Sequence, residues 1–156
     1  MYHLPYVNYK RINSGICNVN NEYIYTLFGR SAENTIERLN IGKMGGGENW
    51  ELIRVKIDGG NEIYMNNLQQ FLSFYNGESI VILGGDYNIK NENQEILRLN
   101  IKENCLNKIG FIDLKCLYLN HITFIDDEYF VVYDINNGLH FFNKDLDKHL
   151  IFNFQI

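Results

Sequence analysis

Four histidines, His3, His121, His140 and His149, are the side chains in this sequence best suited to ligate a metal or carry a proton near neutral pH. Their spacing matches neither HExxH nor HxH, the patterns that bring two imidazoles to one ion from a single helix or strand. His121 and His140 are the pair that neighbouring strands could bring together. Asp126-Asp127-Glu128 sets three acidic side chains in a row, but in the setting of a hairpin turn, where solvated carboxylates are the ordinary outcome. Asp134-Ile135-Asn136-Asn137-Gly138 opens like a calcium loop. Its glycine comes one position early, however, and the twelfth place holds Asp145 rather than a bidentate Glu. Gly42 to Gly47 is rich in glycine, yet a phosphate loop needs a Lys-Ser or Lys-Thr pair opening a helix, and here Glu48-Asn49-Trp50 follows. No Ser stands in a GxSxG elbow, and Cys17, Cys105 and Cys116 lack the CxxC spacing of a metal or redox site. The expectation is a chain with no catalytic residues, no metal site and no cofactor.

Composition narrows the remaining classes. A net charge of −5 and a pI near 5.3, with no basic cluster beyond Lys10-Arg11, argue against a nucleic-acid partner or an acidic membrane surface. The odd cysteine count suits buried thiols in a reducing compartment. The N-terminus carries no apolar signal region, and no run reaches the roughly 18 apolar residues of a membrane span. A cytoplasmic protein is therefore expected, with the cytoskeleton as one setting. Apolar residues make up 46% of the chain, enough for a real core. Helix is disfavoured by a single Ala, while 11 Tyr and 10 Phe favour strands and 23 Asn suit tight turns.

The elements that position any site come in repeats. Ile80-Val81-Ile82-Leu83 runs into Gly84-Gly85-Asp86 as a buried strand would, and Ile96-Leu97-Arg98-Leu99-Asn100-Ile101 alternates like a half-buried one. The same unit occurs upstream as Tyr23 to Phe28 before Gly29, followed by Thr35 to Ile41. Arg38-Leu39-Asn40-Ile41 recurs unchanged as Arg98-Leu99-Asn100-Ile101. A third copy runs through Tyr129-Phe130-Val131-Val132-Tyr133, with Asp134-Ile135 at the glycine positions, and continues as Gly138 to Phe142. Repeats of roughly 40–50 residues that hold short strands and no long helix point to a propeller.

The aliphatic run ending in Gly84-Gly85, its shorter form Leu27-Phe28-Gly29, and Trp50 on a later outer strand that runs from Trp50 to Ile57 resemble kelch repeats. The resemblance covers the chain from about Ser14 onward. It implies an all-β, kelch-type β-propeller of about three four-stranded blades, at 14–57, 68–112 and 117–154. A leading strand at 6–12 would belong to a preceding blade. Gly29, Gly84 and Gly85 would serve the fold, and Trp50 would pack between blades. Three blades cannot close a ring of about four to eight, so further blades or another polypeptide segment should complete it. On such a scaffold partners bind at loops. The partner-binding residues expected are Arg30, then Asp86, Tyr87 and Asn88, then Asn136 and Asn137. The function this implies is a non-catalytic protein-interaction scaffold inside a larger intracellular assembly. The alternative is a propeller enzyme or carbohydrate-binding module with a site in its central channel. Copper oxidases on kelch-like scaffolds use Cys, Tyr and His; Cys17, Tyr25 and His140 are of those types, but no spacing groups them. Another propeller family or an open β-sandwich would also fit the strand pattern.

Overall fold

A computed structural model describes residues 5–32, 35–43, 49–57, 68, 71–88, 91–92, 95–111, 122–126, 128–134 and 138–152. These residues form strands joined by turns, with one short 3₁₀ segment at Ile41–Lys43. The first sheet holds β1 (Gly15–Val19), β2 (Tyr23–Leu27), β3 (Ile36–Asn40) and β4 (Glu51–Ile53), antiparallel and in chain order. The next two residues of strand, β5 (Lys56–Ile57), leave that sheet. The second sheet contains β6 (Leu72–Tyr75) and β7 (Ser79–Leu83), then a side hairpin of β8 (Asp86–Asn88) and β9 (Asn91–Glu92) that stands apart from it. The sheet continues with β10 (Glu95–Asn100) and β11 (Cys105–Phe111), and β5 lies parallel along the outer edge of β11. The third sheet is again a meander in chain order: β12 (Ile122–Phe124), β13 (Tyr129–Asp134), β14 (Gly138–Asn143) and β15 (His149–Phe152). None of the three sheets closes on itself.

Asn and Asp side chains shape the same turns in each sheet. Between the first two strands, the Asn18 Oδ1 accepts from the Asn21 amide at 3.2 Å. The Asn76 Oδ1 accepts from Glu78 and Ser79 at 3.1 and 2.9 Å, and Asp126 accepts from Glu128 and Tyr129, both at 2.8 Å. Such side chains imitate a backbone acceptor and so fix a turn locally. Asn20 and Asn21 both adopt positive φ, 53° and 55°, a region Asn tolerates better than most residues. At the end of each third strand another Asn recurs: Asn40, Asn100 and Asn143 lie opposite Tyr23, Ser79 and Tyr129. The two Arg-Leu-Asn-Ile copies therefore occupy equivalent positions.

The sheets are stacked, and β7 shows how. All five of its residues are buried. Ile80 and Ile82, with Leu97, Leu99 and Leu106, pack on Cys17, Val19, Leu27 and Ile36 of the first sheet. Val81 and Leu83, on the other face with Leu72, Phe74 and Ile96, pack on Phe130, Val132 and Phe142 of the third. A strand covered on both faces needs apolar residues at every position, which is why this run does not alternate. Gly15 lets the first two sheets close together, since a Cβ there would lie 2.4 Å from the Phe71 ring.

Three expectations are corrected. Residues 6–12 are not a strand: a single bridge joins Ile12 to Arg30, and the rest lies across the first sheet as a strap. Its amides at Asn8 and Tyr9 donate to the buried Glu37 carboxylate at 2.7 and 3.2 Å, and so are not free to form a ladder. The stretch from Trp50 to Ile57 is not one outer strand; it divides into β4 and β5, and β5 makes the second sheet five-stranded. The polar connection after Gly85 contains the β8–β9 hairpin instead of a plain loop.

Candidate functional site

In the first two sheets the connection between the second and third strands leaves the same strand end, after β2 and after β7. Gly29 follows β2 at φ +98° and donates its amide to the Leu68 carbonyl at 3.1 Å. A side chain there would press on the Ile12 carbonyl and Ser14 Cβ, each 2.9 Å away. Arg30 comes next, with its backbone paired to Ile12 in both directions and its side chain exposed. Gly84 and Gly85, at φ +67° and +104°, carry the chain from β7 into Asp86, Tyr87 and Asn88, which form β8. The corresponding connection in the third sheet contains Asn136 and Asn137, which lie outside the described residues. Arg30 and the β8 hairpin thus leave equivalent strand ends of adjacent sheets.

The chemistry-bearing side chains lie elsewhere. Cys17 and Tyr25 are cross-strand partners on the face of the first sheet that meets the second. His140 is on the third sheet, with the second sheet between, so these three do not form a group. His121 lies outside the described residues. His140 instead meets His149, Nδ1 to Nε2, at 2.9 Å, and the His149 ring stacks on Phe142 with centroids 4.2 Å apart. Partial burial, followed by the proximity of His140, holds His149 below the ordinary imidazole pKa. Two imidazoles supply half of a tetrahedral zinc set. Among the described residues no group of three or more His, Cys, Asp or Glu could hold a metal. Burial pushes the Cys17 thiol up to about 12, the opposite of what a nucleophile needs. Two shallow depressions of about 400 and 410 Å³ share Tyr129, Asn143, Asp147 and Lys148 in their walls. They lie at the rim opposite Arg30 and β8.

The most developed polar network was not anticipated. Glu37 and Arg11 form a 2.7 Å ion pair with side-chain exposures of 0% and 3%. The Arg11 Nη1 donates to the Phe28 and Thr35 carbonyls at 2.9 and 3.0 Å, and Asn8 Nδ2 also donates to Glu37. Burial alone would raise the Glu37 carboxyl. The Arg11 guanidinium and the Asn8 and Tyr9 amides outweigh it and hold the carboxyl below 4.5. Trp50 completes the anchor: its Nε1 donates to the Pro5 carbonyl at 2.9 Å, and its own carbonyl accepts from Asn8 at 2.7 Å. It is buried against the strap rather than within either intersheet core. The available signal was an acidic residue, Glu37, at the repeat position where the second copy has Leu97.

No protein-family model matches this chain, and no curated protein matches it. Among the described residues no helix is long and apolar enough to cross a membrane.

Proposed function

We propose that this chain is a non-catalytic protein-interaction scaffold of the kelch-propeller type, a component of a larger intracellular assembly. In this reading each sheet is a blade, the three form an arc of an incomplete ring, and partners bind at the rim of Arg30, Asp86, Tyr87 and Asn88. The observation that carries it is the succession of three sheets built on antiparallel meanders, each packed face to face on the next. Connections between strands are where contacts with a partner cost a fold least. The test compares the proteins co-purified with the native chain and with the quadruple variant Arg30→Ala, Asp86→Ala, Tyr87→Ala, Asn88→Ala, matched by circular dichroism. Loss of a defined set of partners supports the rim assignment. An unchanged set overturns it, and stoichiometric copper or calcium, or binding to a glycan panel, would favour a channel-site enzyme or lectin instead.

A further inference from the structure

The two ends of the stack are chemically different. In the first two sheets the side chains that press on the next sheet include Tyr25 and Leu27, then Val81 and Leu83. The same repeat positions in the third sheet are Val131 and Tyr133. The register extends them into two cross-strand rows, Val131–Phe141–Leu150 and Tyr133–Leu139–Phe152. No described sheet covers these rows: Tyr133, Leu150 and Phe152 are 50%, 64% and 55% exposed. Phe141 and Phe152 already pack edge to face at 5.1 Å.

The opposite end does not complement this face. The second sheet presses back on the first with Ile80, Ile82, Leu97 and Leu99, all at most 1% exposed. The matching positions of the first sheet are Ile24, Thr26, Glu37 and Leu39. Stacking a second chain there in the same way would displace the strap and set Val131 and Phe141 against a buried carboxylate without its guanidinium. Such a charge is strongly disfavoured. The surface that does match the exposed rows is another copy of the same rows, apolar apart from Thr123 beside Val131 and the Tyr133 hydroxyl.

We propose that two copies of this chain pair through the outer faces of their third sheets about a two-fold axis. The result is a closed stack of six sheets with an Arg11–Glu37 strap at each end. An isologous contact of this kind ends at the dimer, whereas head-to-tail stacking would continue or close into a ring. A four-stranded face about 19 Å wide and 16 Å long, covered on both copies, removes on the order of 1,000 Å² from water, the lower end for a specific interface. A contact at that lower end is expected to be reversible, as weak and transient interfaces are. The inference rests on reading the sheets as successive copies of one unit.

Sedimentation velocity of the full chain, across about two decades of concentration around the micromolar range, tests the pairing. A reversible monomer–dimer equilibrium is expected. The double variant Leu150→Lys, Phe152→Glu alters exposed side chains on the paired face and should weaken the dimer at least about a hundredfold. Ile16→Lys, at the strapped end, should leave it unchanged. Circular dichroism and Trp50 emission establish that both variants are folded. A chain that stays monomeric throughout overturns the proposal, and so does open-ended growth or a dimer sensitive to Ile16→Lys. The partner set lost from the Arg30–Asn88 rim variant is a separate readout, so the dimer and the scaffold reading fail independently.

Discussion

A carboxylate at 0% exposure is tolerated at Glu37 because nearly all its acceptor capacity is used, by one guanidinium and three amide groups. Its folded pKa lies below 4.5, so the stabilisation is fully present above that value and is lost as pH falls through the lowered one. Trp50 is the sole tryptophan and holds the other end of the strap, so its emission reports this site alone. Emission should stay constant from neutral pH down to about 4.5 and shift to the red below it. Arg11→Ala leaves the carboxylate buried and unpaired; it should cost about 3–5 kcal/mol in urea denaturation and move the emission change to higher pH. An emission profile identical to that of the native chain would show that the strap does not depend on this pair. Cys17 gives a second residue-level outcome. With its thiol pushed up to about 12 and its side chain between two sheets, it should resist iodoacetamide at pH 8.5 until the chain is unfolded, as peptide mapping would show. Rapid native alkylation of Cys17 would mean that the first two sheets separate readily.

Between elements, β1 and β6 approach closely at Gly15. A methyl group there would sit 2.4 Å from Phe71 Cε2 and 2.8 Å from Ser73 Oγ. Gly15→Ala should therefore destabilise by about 1–3 kcal/mol, by forcing the sheets apart. Thermal or urea unfolding measures it, and a neutral result would mean that the Phe71 ring swings aside freely. Which strands exist was legible in the sequence because β7, β10 and β13 carry their burial in their own patterns. The Asn-rich turns were legible for the same reason, since an Asx turn is decided within four residues. Trp50–Ile57 was misread as one strand because its division depends on a distant edge: β5 leaves the first sheet to cover β11, with the Lys56 amide donating to the Asn104 carbonyl at 2.8 Å. Covering an open edge is a demand of the whole sheet that eight residues of sequence do not record. The strap was misread likewise, because its amides answer to Glu37, 28 and 29 positions away.

For the whole molecule, the repeats predicted that the sheets bury their faces against one another, and β7, β10 and their neighbours do so on both sides. What the repeats could not reveal was that one end of the stack is covered by the chain's own strap and that no described element covers the other. That difference depends on Glu37 being polar and on Arg11 reaching it from outside the repeats. Its consequence is a gradient of local stability. Amides of β7 and β10 should exchange with solvent only through global unfolding, since no smaller opening frees a strand packed from both faces. Those of β15, whose four side chains are all exposed, should exchange through local opening at much lower free energy. Native-state hydrogen exchange resolves this ordering, and a β15 protected as well as β7 in dilute monomer would contradict it. Pairing through the third sheet adds a second dependence. Protection of β14 and β15 should rise with protein concentration, while that of β1 and the strap should not, because the copies meet at one end of the stack only. Uniform concentration dependence along the chain would point to non-specific association instead, since a contact confined to one sheet can slow only the openings that expose that sheet.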